Sequence, residues 1–128
     1  MKYMGGKARL AKELFKVMNF DDSKCYIEPF AGGMNMMQFS KASKRIANDI
    51  HPFLIPMWKS LICGWVPPNY SKAEYEKIRQ HPESFPAHVV GWVGFNCSYS
   101  GKWFGGYAGN TKTKNNTVRD YQDEAFIC

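Results

Sequence analysis

The sequence predicts an α/β fold carrying a helical and loop-rich insertion. Three observations predict it: a helical periodicity near the start, two short strand-like runs with a glycine turn after the first, and a long following stretch dominated by helix signals. At 128 residues and 45% apolar, the chain has the length and composition of one packed domain or part of one. It contains no internal repeat and no linker that would divide two complete domains.

Each element follows from local chemistry. "GKARLAKELFKVM" places Leu10, Leu14, Val17 and Met18 at i, i+4, i+7 and i+8, the spacing of one apolar helical face, which predicts a helix over Ala8 to Met18. "NFDDSK" reads as a turn and "CYIEPF" as a short strand that Pro29 helps to end. After Gly32 and Gly33, "MNMMQFSKAS" reads as a helix, and "KRIANDI" supplies a second strand from Arg45 to Ala47 with Asp49 just beyond it. "HPFLIPMWKSLICG" reads as a helix with Pro52 at its first position and Gly64 past its end, and Pro56 is expected to kink or shorten it. Ser71 with Glu74 three residues on is a capping box opening "SKAEYEKIRQ", which "HPESFP" stops. "AHVVGWVGF" reads as a further helix despite its glycines, and "NCSYSGKWFGGYAGNTKTKNN" as loop and short ribbon. "TVRDYQDEAF" begins a last helix with acids in its first turn.

The formal charge is +6 and the pI about 9.2, which suits a polyanionic partner. Between Glu83 and Asp120 no acid occurs, while Lys102, Lys112, Lys114 and Arg119 stand among Trp92, Phe95, Tyr99, Trp103, Phe104 and Tyr107. Basic charge interleaved with aromatics fits phosphates and unstacked bases, and equally fits a solvated basic loop beside core aromatics. Cys25, Cys63, Cys97 and Cys128 lie far apart with no CxxC pair, so free and mostly buried thiols are expected. His51, His81 and His88 show no ligand spacing, and no metal is expected. No apolar run approaches the roughly 20 residues of a membrane span and no signal peptide is evident, so a cytoplasmic location is expected.

A strand, a glycine turn and a helix together can cradle a cofactor, because glycine lets the backbone approach a ligand and a helix start offers free N–H groups. Asp49 ends the next strand where α/β nucleotide sites place a carboxylate on ribose hydroxyls. The alternative is that Gly32 and Gly33 make only a tight turn and that Asp49 caps the next helix. The order F-x-G-G lacks a third glycine, so no pyrophosphate site is suggested.

Four blocks in order, "YMGGK" at Tyr3 to Lys7, "EPFAGGMNM" at Glu28 to Met36, "ANDI" at Ala47 to Ile50 and "GFNCSYSGKWFGGYAG" at Gly94 to Gly109, resemble the Dam-type adenine-specific DNA methyltransferases. The resemblance implies a partial Rossmann-like, S-adenosylmethionine-dependent methyltransferase fold with a helical DNA-recognition insertion. It implies a cofactor-binding part at 1–50, a target-recognition region at 51–116, and a return toward the methyltransferase sheet at 117–128. Cofactor contacts would fall on Tyr3, Gly5, Gly6, Lys7, Glu28, Pro29, Phe30, Ala31, Gly32, Gly33 and Asn35, with Asp49 on the ribose and Ile50 on the adenine. Met34 departs from the family's common small residue there. Double-stranded DNA would be the partner, met by Asn96, Ser98, Tyr99, Ser100, Lys102, Trp103 and Arg119. Of these, Lys102 and Arg119 suit phosphates, whereas Asn96 or Ser100 suits base edges.

The implied reaction carries a methyl group from S-adenosylmethionine to the exocyclic amine of a flipped adenine. The family performs it with a D-P-P-Y motif that these 128 residues do not contain, since "VPPNY" lacks the acid and falls in the insertion. In the family's order that motif comes soon after Cys128, and "AFIC" resembles the strand leading to it. An incomplete, inactive and poorly stable chain is therefore expected, with Cys25 to Phe30 losing a strand neighbour. A catalytically dead DNA-binding remnant and an unrelated basic α/β protein are the alternatives. Restriction-modification, protection of invading DNA and regulation all fit the same blocks.

Overall fold

A computed structural model describes residues 1–112, 115 and 117–127; Lys114 and Cys128 lie outside them. The chain divides into two compact units, Gly5–His51 and Met1–Met4 with Pro52–Cys128. Mixed helix and strand with a small parallel pair is compatible with an α/β methyltransferase fold.

In the smaller unit, helix α1 (Ala11–Met18) precedes strands β1 (Tyr26–Glu28) and β2 (Arg45–Ala47), which pair in parallel with Ile27 opposite Ile46. The core gathers Ala11, Tyr26, Met36 and Ala42, with Phe15 and Phe20 packed on Tyr26 at centroid distances of 5.7 and 4.9 Å. This corrects the expected apolar face of the first helix. Ala11 and Phe15, one turn apart, face the core, whereas Leu10, Leu14, Val17 and Met18 are exposed, Val17 by 84%.

The helix expected over "MNMMQFSKAS" is a single 3₁₀ turn, Met37–Phe39. Two local features oppose a longer helix. Met34 sits at φ +53°, which a right-handed helix cannot pass through. The Lys41 amide donates to the Asp22 carboxylate at 2.9 Å and the Ala42 amide to the Ser40 hydroxyl at 3.2 Å, so side chains take the amides a helix would have used.

In the larger unit, α2 (Leu54–Ile62), α3 (Lys72–Gln80) and α5 (Tyr121–Ile127) pack around α4 (Ala87–Asn96), which is buried continuously from Val90 to Asn96. The α4 glycines that weaken its helix propensity are points of close approach. A Cβ on Gly91 would stand 2.3 Å from the Phe53 carbonyl oxygen, and one on Gly94 would stand 2.2 Å from the Trp103 ring. Pro56 falls in the first turn of α2, where its missing N–H has no helical acceptor, so no kink is required. The Ser71–Glu74 capping box forms in both directions.

Strands β3 (Asn110–Lys112) and β4 (Val118–Asp120) form an antiparallel ribbon. The last helix therefore begins at Tyr121, later than expected, because Asp120 Oδ1 accepts from the amides of Gln122 (2.8 Å) and Asp123 (3.2 Å) and sets its start. Ala125 to Ile127 lie in α5, which corrects the strand expected at "AFIC". Cys97 is buried and its thiol is pushed up to about 12 by burial, but Cys63 is exposed and Cys25 only half-buried, so among the described residues the thiols are not mostly interior. Among the described residues no helix is long and apolar enough to cross a membrane.

Candidate functional site

The carboxyl ends of β1 and β2 are tied together by the turn after β1. Asn48 N–H donates to the Glu28 carbonyl (2.9 Å), and Ala31 N–H donates back to the Asn48 carbonyl (2.9 Å). Asp49 then spans the turn: Oδ2 accepts from the Gly32 amide at 2.9 Å and Oδ1 from the His51 amide at 3.0 Å. Gly32, at φ +48°, presents its N–H without the strain a side chain would bring. Asp49 thus fixes the glycine turn, and each of its oxygens keeps further acceptor capacity. In open parallel sheets, ligands bind outside such strand ends.

Glu28 is a second acid at this turn. Burial raises its pKa, while the charge of Lys7 and a hydrogen bond from the Met37 amide lower it. Its Oε2 is buried with no hydrogen-bond partner, an acceptor awaiting a donor. Phe30, two residues before Gly32, and Ile50, next after Asp49, are 82% and 94% exposed and offer apolar surface. Pro29, Gly5, Gly6 and Lys7 are exposed, Gly33 and Asn35 half-buried and Ala31 buried. Tyr3 belongs to the larger unit, where its ring lies 5.1 Å from that of Phe95.

In the larger unit the residues expected to meet DNA divide sharply. Asn96 is 0% and Ser98 1% exposed. Asn96 Oδ1 accepts from the Lys2 amide at 3.1 Å and its Nδ2 faces the Met57 sulfur, while Ser98 Oγ lies 3.0 Å from the Tyr75 hydroxyl. These two side chains are interior, which corrects the expectation that Asn96 reaches a base edge. Trp103 stacks on Phe53 at 5.6 Å and packs on Phe95 at 4.7 Å, so its ring is mostly spent on the core. Tyr99, Ser100 and Lys102 are exposed on the turn after α4, with Ser100 at φ +57°. Arg119 is exposed on β4 and forms an ion pair with Glu124.

The sequence reading missed Tyr121 and Glu124, which Arg119 contacts, and Lys2, which shares both of them. Only the three-residue spacing of Tyr121 and Glu124 on one helix face could have signalled them.

Residues 3–90 match the family model described as D12 class N6 adenine-specific DNA methyltransferase. No curated protein matches the chain.

Proposed function

We propose, from the premise that this chain belongs to the D12 class N6 adenine-specific DNA methyltransferases, that its smaller unit binds S-adenosylmethionine and its larger unit contacts double-stranded DNA. The observation that carries the reading is the strand-end turn, where Asp49 clamps Gly32 and Glu28 keeps an unpartnered buried oxygen.

The donor and acceptor set fits that cofactor. Glu28 Oε2 would accept from the α-amino group, the one strong cationic donor of the methionine moiety. Lys7 would neutralise the α-carboxylate. Asp49, with acceptor capacity left after its two backbone bonds, would take the ribose hydroxyls. Phe30 and Ile50, both exposed, would cover the adenine ring, and the Ala31 to Asn35 backbone would lie along the ligand. Tyr3 stands against Phe95 in the larger unit and is left out of this set.

When bound, the cofactor supplies an electrophilic methyl group. These residues bind and orient it, and the residues that receive the adenine amine are a separate matter. The family's D-P-P-Y motif does not occur within residues 1–128. On this reading residues 1–128 supply cofactor and DNA contacts, and none of them is assigned to receive the adenine amine. The parallel pairing of β1 and β2, with the glycine turn and Asp49 at their carboxyl ends, is what supports a Rossmann-like sheet. DNA contacts fall on Tyr99, Ser100, Lys102 and Arg119, with the phosphates of a cytoplasmic genome as the anionic target.

A ligand that binds only the folded state raises the melting temperature. S-adenosylmethionine at ~100 times its dissociation constant is expected to stabilise the chain by about 2.7 kcal/mol. Asp49→Ala, checked for native circular dichroism, is expected to abolish the shift. An unchanged melting temperature for the folded wild type would reject the cofactor site.

A further inference from the structure

Arg119 sits in an ion cluster that joins the β4–α5 junction to the chain's distant Lys2. Its Nε and Nη2 donate to the two oxygens of Glu124, the Nη2 bond at 2.8 Å. Lys2 Nζ donates to Glu124 Oε2 at 3.2 Å and to the Tyr121 carbonyl at 3.3 Å. Both cations lie over the Tyr121 ring, Lys2 at 4.2 Å and Arg119 at 4.9 Å, and the Tyr99 ring stands 6.1 Å from it. The Asp120 cap joins β4, which carries Arg119, directly to α5, which carries Glu124.

Two cations against one carboxylate leave one net positive charge. Arg119 commits Nε–H and one Nη2–H to Glu124, so three of its five N–H groups point away from that carboxylate. A side chain already fixed in place loses less entropy when an anion arrives. Stacking on Tyr121 restricts the guanidinium plane further.

We propose that Glu124 is a positioning residue: it holds Arg119 and Lys2 against Tyr121 as a preformed clamp for one phosphate of the DNA backbone. The inference rests on the DNA-binding reading above and deepens it by adding Lys2 and Glu124 to the contact surface. It differs in sign from a simple account in which Glu124 only cancels charge. If Glu124 only cancelled charge, removing it would tighten binding to a polyanion.

The test is fluorescence anisotropy of a labelled duplex of about 20 base pairs, titrated with the full chain from about 50 to 200 mM salt. Glu124→Gln raises the positive charge by one yet is expected to weaken binding roughly 3- to 10-fold and to lower the salt slope by about 1. Asp123→Asn makes the same charge change on the same helix at an exposed position and is expected not to weaken it. Arg119→Lys keeps its charge but loses the planar fork, and is expected to weaken binding to a similar degree. Glu124→Asp is expected to recover part of the loss.

Wild-type binding with equal or tighter binding by Glu124→Gln overturns the clamp and leaves the DNA reading standing. If folded wild-type protein does not bind the duplex, both fall together. Should Glu124→Gln lose native circular dichroism, Arg119→Lys decides: weaker binding supports the clamp and unchanged affinity overturns it.

Discussion

Burial drives the Glu28 carboxyl above its ordinary value of 4.5, and Lys7 with the Met37 amide pulls it only part of the way back. The consequence for stability has a definite sign. Below 4.5 both folded and unfolded chains hold the proton, and as pH rises the unfolded chain ionises first, so this residue's contribution is lost through the folded pKa. Glu28→Gln is therefore expected to raise the urea midpoint at pH 7 and to change it little at pH 4, while weakening cofactor binding. A variant less stable than wild type at pH 7 would contradict this. Glu124 behaves oppositely: Arg119 and Lys2 hold its carboxyl down at about 2, so the ion cluster stays charged across the pH range in which the protein would be studied. Duplex affinity is expected to show no titration between pH 5 and 8 traceable to Glu124.

Among the elements, α4 is the one about which the larger unit is built, and its glycines set how near its neighbours come. Gly91→Ala would press a methyl group against the Phe53 carbonyl and Met57, and overpacking of this kind costs about 1–3 kcal/mol. Chemical denaturation is expected to show that loss, and an unchanged midpoint would mean that α2 does not pass where it is placed. Ser71→Ala, at the capping box of α3, is expected to cost ~1 kcal/mol. That helix was legible to the residue because Ser71 and Glu74 lie within its own four-residue signature. Strand β2 was equally legible, and β1 falls inside the expected "CYIEPF", both being short runs centred on an isoleucine and bounded by turn residues. The stretch after Gly33 was not, because Asp22 claims the Lys41 amide from 19 residues away. The inward face of α1 was also hidden, since both of its long faces carry apolar residues and the rings of Phe20, Tyr26 and Phe39, all beyond the helix, pack on Phe15.

At the scale of the molecule, the proposed reading assigns the cofactor to the strand-end turn of one compact unit and DNA to the exposed Tyr99, Ser100, Lys102 and Arg119 of the other. The strand-end turn joining Gly32 to Asp49 was legible in the sequence because its acid, glycines and strand-end aspartate lie close together along the chain. The ion cluster was not, because Lys2 and Glu124 are 122 residues apart and only folding joins them. Exposed Leu10, Val17, Ile27, Phe30 and Ile50 give the smaller unit an unusually apolar surface. The isolated 128 residues are accordingly expected to self-associate as concentration rises, a trend that sedimentation velocity would show, and to transfer no methyl group to duplex DNA. The most direct test of the central claim is photocrosslinking of methyl-labelled S-adenosylmethionine to the folded chain, followed by peptide mapping. Label within Glu28 to Met37 or on the Asn48 to His51 segment is the predicted result. Label confined to residues 52–127, or none that excess unlabelled cofactor displaces, would contradict it.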